Sequence, residues 1–408
     1  MSECTKYNCP NCSASLFFRS DDQKMHCTYC SSTFELEEIQ TEREPAFWSN
    51  EEREQLRNFS CSSCGGDLIT DENTVSTFCP YCGNATIIPG RVSDCQKPDS
   101  LIPFKKNKDD AKESFLAFCK GKYLLPKDFK SRNQIEKITG IYVPFWLCSC
   151  SADLKGTYCA KKERNWSDED YEYTETEYYT LKRAARADFH MIPIDASKKM
   201  DDAIMESIEP YDYTQLETFN TLYLSGYFTD KYDVPIKECK ARLRQRVYQS
   251  LDHNIRNSCN HFTSVYAPET DLTTKNLEHK YVLLPVWILQ TRYKEKLYTF
   301  AMNGQTGKIT GSLPISRIRV VLWFFLIFTL LSLPLFAFFS FVGLIFAGVF
   351  SILSITSMKK NANTAVLQED AESYLNTSSY ELYEREDVFL RAETSQKAKE
   401  KDSGNKRN

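Results

Sequence analysis

Cys9-Pro-Asn-Cys12 stands fourteen residues ahead of Cys27-Thr-Tyr-Cys30, and Cys61-Ser-Ser-Cys64 stands fourteen residues ahead of Cys79-Pro-Tyr-Cys82. Each cysteine of the second set lies 52 positions beyond its counterpart in the first. A Cys-x2-Cys turn brings two thiolates to about 2.3 Å from one metal, and a second such turn completes a tetrahedron. Structural disulfides are the alternative, and they belong to an oxidising compartment. Ser15-Leu16-Phe17-Phe18 and Asp67-Leu68-Ile69-Thr70 read as strands of β-hairpins between the pairs. Gly65-Gly66 and Gly83 supply the permissive backbone of a thiolate knuckle. The spacing predicts two Cys4 zinc ribbons, over residues 1–40 and 55–92. Their ligands are Cys9, Cys12, Cys27 and Cys30, then Cys61, Cys64, Cys79 and Cys82, holding two structural Zn2+. A ribbon of about 35 residues has too little core to fold without metal. With four thiolates each, neither site keeps the open position that catalytic zinc offers to water.

Charge bears on what such ribbons bind. Residues 1–98 carry 8 Lys/Arg against 15 Asp/Glu, and each Cys4 zinc site adds about −2. Phosphate backbones are bound by basic neutralisation, so nucleic acid is the disfavoured partner and protein the favoured one. The whole chain, at a net charge of −4, is no general polyanion binder.

The second decisive stretch lies near the far end. Val320 to Met358 contains no charged residue, and Val320–Ile355 is almost wholly apolar. Those 36 residues would make a helix of about 54 Å, against a hydrocarbon core of about 30 Å. Two passes fit, turning near Phe338–Val342 after Pro334, and the expected element is a two-helix membrane hairpin over residues 318–357. A re-entrant hairpin that never crosses fully is the rival. Lys308, Arg317 and Arg319 precede the segment, and Lys359 and Lys360 follow it. Basic flanks on both sides place both termini and the bulk of the chain in the cytoplasm, at the cell membrane. Zinc thiolates need the same reducing compartment.

Residues 99–316 form the middle region, read as a mixed α+β domain rich in β-hairpins. Ala111–Lys122 reads as an amphipathic helix with Phe115, Leu116, Phe118 and Cys119 on its apolar side. Ile141–Leu147 and Tyr281–Leu289 read as buried strands, each with a Pro-x-Trp step (Pro144-Phe145-Trp146 and Pro285-Val286-Trp287). They read as a degenerate repeat of one hairpin, whose prolines belong at an edge or bulge. Asn303-Gly304 predicts a type I′ turn. Pro235–Ile255 reads as a helix with a basic face, turned to anionic lipid or to water. The tail, residues 358–408, is polar, with a docking stretch at Tyr380–Leu390 and a lysine-rich end expected to be disordered.

Other candidate sites resolve into plainer readings. Gly304-Gln-Thr-Gly307-Lys308 lacks the spacing and the Ser/Thr of a phosphate loop. The acidic, tyrosine-rich run Ser167–Glu177 reads as a solvated strand. Cys148, Cys150 and Cys159 read as small apolar residues, and Cys239, Cys259 and His261 lack metal-ligand spacing. No nucleophile–base pattern stands out, so the chain is expected not to be an enzyme.

Leu101-Ile-Pro-Phe104, Gly140-Ile-Tyr-Val-Pro-Phe-Trp-Leu147, Pro210-Tyr-Asp-Tyr213, Tyr223–Asp233, Tyr281–Trp287 and Thr299–Lys308 together resemble a group of bacterial TFIIB-type zinc-ribbon membrane proteins. The resemblance runs from the ribbons to the hydrophobic segment and carries no catalytic residues. It implies recruitment of partners to the membrane in phage-shock, PspA-type envelope-stress systems. The helicase label sometimes attached to the group finds no complete nucleotide-binding motif here. The expected function is a non-enzymatic, membrane-anchored zinc-ribbon adaptor that brings cytosolic proteins to the inner face of the bilayer. The alternative is a membrane-tethered, nucleic-acid-associated regulator.

Overall fold

Strands outnumber helices in the computed structural model, which describes residues 2–3, 7–39, 59–60, 74–78, 85–87, 96–126, 129, 138–293, 296–362 and 364–399. The strands are β1 (Ser2–Glu3), β2 (Leu16–Arg19), β3 (Lys24–Cys27), β4 (Thr33–Phe34), β5 (Phe59–Ser60), β6 (Thr74–Phe78), β7 (Ala85–Ile87) and β8 (Ser100–Leu101). There follow β9 (Thr139–Ser167), β10 (Tyr171–Asp195), β11 (Glu217–Thr218), β12 (Phe228–Asp230), β13 (Ser264–Tyr293), β14 (Lys296–Asn303), β15 (Ile309–Gly311) and β16 (Glu381–Ala398). The helices are α1 (Leu36–Ile39), α2 (Lys108–Cys119), α3 (Asp202–Ser207), α4 (Ile236–Asn257) and α5 (Arg317–Lys360). The class is mixed α+β, as expected.

Two units divide the chain. The first takes Met1–Leu147, Pro193–Cys239 and Lys280–Gln368, and the second takes Cys148–Ile192, Lys240–His279 and Glu369–Asn408. β9, β10 and β13, at 29, 25 and 30 residues, each give residues to both.

In the first unit, aromatic side chains build the core. Phe104 stacks on Tyr227 with ring centroids 4.1 Å apart and meets Tyr142 and Trp287 edge-on. α2 starts on a reciprocal capping box between Asn107 and Asp110 and lays Phe115 and Phe118 against Phe300. Phe115, Phe118 and Cys119 are buried at i, i+3 and i+4, whereas Leu116, expected on the same side, is 45% exposed because it sits one residue, about 100°, around the helix. Trp146 donates its Nε1–H to the Val234 carbonyl at 3.0 Å, and Trp287 donates to the Lys106 carbonyl at 2.8 Å. The two Pro-x-Trp strands thus anchor their indoles in the same way. β12 pairs β9 only at Ile141 and Tyr142, while β8 leaves β13 at Leu283 and β14 joins it at Val286.

The turn after β14 differs from the type I′ expectation. That turn needs positive φ at both central residues, yet among these residues only Gly307 has it, with φ of 80°. Asn303 instead folds the loop with its side chain: Oδ1 accepts from Gln305 and Thr306 N–H, and Nδ2 donates to the Ile208 carbonyl at 3.0 Å. Gly304 is there for space, since a Cβ would lie 2.7 Å from the Phe104 ring and 2.9 Å from Pro285 Cβ. Gly304→Ala is expected to cost about 1–3 kcal/mol of stability, read as a lower urea midpoint of the solubilised protein. Lys308 donates to the Glu209 carbonyl, so the glycine-lysine run is a structural turn.

α5 carries the long apolar run, and Phe341–Lys360 within it is long and apolar enough to cross a membrane. A straight helix of 44 residues would measure about 66 Å. Its flanks nonetheless meet: Leu313 N–H donates to the Ala362 carbonyl at 2.8 Å, and Thr364 N–H donates to the Gly311 carbonyl at 3.0 Å. A Cβ on Gly348 would stand 3.9 Å from the Phe328 ring, twenty residues earlier. The segment therefore reverses direction between Phe328 and Gly348. Gly343, Ala347, Ser351 and Ile355, four residues apart, form the buried face of its second half.

In the second unit, the polar tail becomes a strand. β16 runs antiparallel to β10 from Tyr171↔Ala398 to Arg186↔Glu381. It includes Gln396–Ala398, which the lysine-rich composition had marked for disorder; residues 400–408 lie outside the described residues. The acidic run opens as expected: Asp168 caps the connection by accepting from Tyr171 N–H, and exposed Tyr171 starts β10. Arg183, buried in β10, pairs with Asp387 of β16 and donates to the Glu386 carbonyl at 3.0 Å. Asp387→Ala strands that guanidinium. The expected loss is about 2 kcal/mol, tempered because Asp387 is itself one-third exposed, with faster hydrogen exchange in β16. Two arginines of α4 are withdrawn from its basic face, on which Lys237, Lys240 and Arg244 stay exposed. Arg246 is fully buried and donates to the Asp370 carbonyl at 3.1 Å, Arg256 pairs with Asp252 at 2.5 Å, and Arg244 donates to the Leu272 carbonyl.

Candidate metal centre

β2, β3 and β4 form an antiparallel sheet with Leu16↔Cys27, Phe18↔Met25 and Met25↔Phe34 in register. Leu16, Phe18 and Met25 give it a very small core, so the chain ends beyond it must be tied by something else. The cysteine turns lie at one end. Cys27 closes β3, and the Cys9 turn is held by Cys9 N–H to the Ala14 carbonyl at 2.7 Å and Ser13 N–H to the Cys9 carbonyl at 2.8 Å.

Cys9, Cys12, Cys27 and Cys30 converge, with all four sulfurs within 4.8 Å of one another. Cys9 and Cys30 Sγ are 3.5 Å apart, and Cys12 and Cys27 Sγ are 3.4 Å apart. A bonded disulfide would bring sulfurs to about 2.05 Å. A zinc tetrahedron with bonds of about 2.3 Å has sulfur edges of about 3.8 Å, so this donor set fits such an ion. Tyr29 and Cys30 N–H both point at Cys27 Sγ at 3.4 Å, stabilising thiolate charge. The side chain and backbone of Ser32 pull the Cys30 thiol down to about 6. Cys12 goes the other way, to about 12. Its backbone contact with Ala14 draws it down, but burial and the three neighbouring thiols outweigh that.

Ser32 was not legible as part of the site. Its Oγ lies 3.2 Å from Cys30 Sγ and accepts from Asn11 Nδ2 at 3.0 Å, linking the two turns. His26, next to Cys27, turns away and meets Asp22 at 2.6 Å. Ser13 and Ser31, each directly after the second cysteine of a pair, have left-handed φ of 62° and 59°. The residues 52 positions on are Gly65 and Gly83, the type that adopts this conformation without strain.

The module docks on the rest of the first unit. Phe18 N–H donates to the Ser225 carbonyl at 3.1 Å, Ser225 Oγ donates to the Leu16 carbonyl at 2.9 Å, and Phe18 packs edge-on against Tyr223 at 5.0 Å. Gln23 Nε2 donates to the Phe104 carbonyl at 2.7 Å.

Cys61, Cys64, Cys79 and Cys82 lie outside the described residues, but the strands around the last two do not. β6 pairs with β7 at Thr77↔Thr86 and Phe78↔Ala85, and β3 pairs with β4 at Met25↔Phe34 and His26↔Thr33. Adding 52 to every position of the first ladder gives the second. Among the described residues, the remaining cysteines join no metal-binding group: Cys148, Cys150, Cys239 and Cys259 are buried, and burial pushes the Cys150 thiol up to about 11.

The first unit thus holds a cysteine cluster that could take a metal ion and a helix long and apolar enough to cross a membrane. Over 318 residues the chain is 36% identical to the uncharacterized protein YdjG of Bacillus subtilis (strain 168), covering 78% of this chain and 92% of that one. The chain belongs to the YdjG family. No family model matches it, and no solved structure does.

Proposed function

We propose that this protein is a non-enzymatic adaptor anchored in the cell membrane by a helical hairpin, with two zinc ribbons that recruit cytosolic protein partners to the inner face. The observation that carries it is the placement of the cysteine module and both flanks of α5 in the same unit. A partner held by the module is thereby held at the bilayer. The first ribbon takes its zinc on Cys9, Cys12, Cys27 and Cys30, whose spacing fits the ion. The second takes its zinc on Cys61, Cys64, Cys79 and Cys82, a reading supported by the 52-residue offset of the β6–β7 ladder. The joined flanks of α5 support two passes, with both termini in the cytoplasm. The PspA-type envelope-stress systems implied by the family resemblance are the partners to test first.

The test is capture of the solubilised full-length protein, with and without nuclease, beside the Cys30→Ser variant. Protein partners that survive nuclease and are lost from Cys30→Ser support the adaptor. Loss of every partner on nuclease treatment favours a nucleic-acid-associated regulator instead.

A further inference from the structure

Where the loop after α2 meets the first turns of α5, a cleft of about 460 Å3 opens, lined by Gly121, Lys122, Tyr123, Arg319, Leu322 and Trp323. Ser316 fixes this junction, its N–H donating to the Leu124 carbonyl at 2.9 Å while its side chain caps α5. Lys122 and Arg319 bring two positive charges to the cleft from separate elements. Lys122 Nζ donates to the Asn361 carbonyl and lies 4.3 Å from the Phe118 ring centre, and Arg319 donates to the Tyr123 and Leu125 carbonyls. Among the described residues neither is paired with a carboxylate, and no acidic residue lines the cleft. Burial pushes the Lys122 ammonium below the usual lysine range, a cost that a bound anion would relieve.

The cleft is graded along α5. Trp323 lies four residues, about 6 Å, beyond Arg319, and its ring meets Tyr123 with centroids 4.9 Å apart. In a bilayer, aromatic pairs of this kind mark the interface between headgroups and hydrocarbon. Beyond it Phe325, Leu326 and Leu330 are exposed. Cations, then amphipathic rings, then open apolar surface is the order of phosphate, glycerol and acyl chain in a phospholipid. We infer that this cleft binds the headgroup phosphate of an anionic phospholipid, with Lys122 and Arg319 on the phosphate and Trp323 and Tyr123 against the glycerol region. The inference rests on α5 being inserted in a bilayer. The site gives the anchor a lipid preference and fixes the first unit at headgroup level.

The test uses the full-length protein in detergent, with native mass spectrometry of bound phosphatidylglycerol, phosphatidylcholine or inorganic phosphate. Phosphatidylglycerol is expected to be retained over phosphatidylcholine. Lys122→Gln and Arg319→Gln, whose amides can still donate to the carbonyls, should each reduce that preference about fivefold, and together about 25-fold. Lys360→Gln, an exposed cation at the C-terminal end of α5 that does not line the cleft, should leave it unchanged. Equal retention of the two lipids overturns the site, as does an equal effect of Lys360→Gln, which would mean diffuse attraction. Displacement of phosphatidylglycerol by millimolar inorganic phosphate would make this a free-phosphate site. Should the double variant lose its zinc and fold, the single variants and the wild-type preference decide. Flotation with pure phosphatidylcholine vesicles separates the two layers. Failure to float refutes membrane insertion itself, whereas flotation without lipid preference refutes the cleft alone.

Discussion

Replacing Cys12 with Ser is expected to halve the bound zinc, from two ions to one, and to unfold the first module while the second keeps its metal. The reason is the size of the module. Leu16, Phe18 and Met25 are its buried core, and a structural zinc in such a module contributes about 10–16 kcal/mol of apparent binding energy at neutral pH. Three thiolates cannot close the tetrahedron, and Cys27, partnered with Cys12 at 3.4 Å, is left without its neighbour. The loss spreads along the docking contacts: Phe18 leaves Tyr223, and Ser225 loses the Leu16 carbonyl. Metal analysis and limited proteolysis read it out, with new cleavage expected before residue 40. Two zinc ions still bound would refute the ligand set.

Removing one pass of the apolar segment should be more damaging than removing all of it. Deleting Val342–Ile355 leaves about 22 apolar residues, enough for one crossing, and sends the tail to the opposite face. β16 then cannot reach β10, and a ladder of 16 residue pairs is lost. Buried Arg183 is left without Asp387, and Arg246 without the Asp370 carbonyl. The second unit is expected to become protease-sensitive throughout. Deleting Val320–Ile355 keeps both flanks on one side, so β16 still pairs and the product should be soluble with both zincs bound. If both deletions yield the same protected second unit, α5 does not cross the membrane.

What the sequence made legible depended on how local each signal was. The cysteine set is written in covalent spacing, and the apolar run in composition, so both could be read directly. Ser32 joins the metal centre through one hydroxyl, which no spacing marks. β16 escaped because Glu384-Arg-Glu-Asp-Val-Phe-Leu-Arg391 has no alternation of apolar and polar residues; its partner is 190 to 230 residues away. The Asn303-Gly304 dipeptide misled for a related reason. Its glycine answers to Phe104 and Pro285, distant in sequence, rather than to the backbone angles of a hairpin.

The proposed adaptor role requires both flanks of α5 to lie at one membrane face, in the cytoplasm. A cysteine introduced at Ser403 of the full-length protein, probed on intact cells with a membrane-impermeant thiol reagent, tests this most directly. No labelling until the cells are permeabilised is the predicted result. Labelling of intact cells would place the tail outside and contradict the hairpin, the pairing of β10 with β16 across it, and the cytosolic adaptor together.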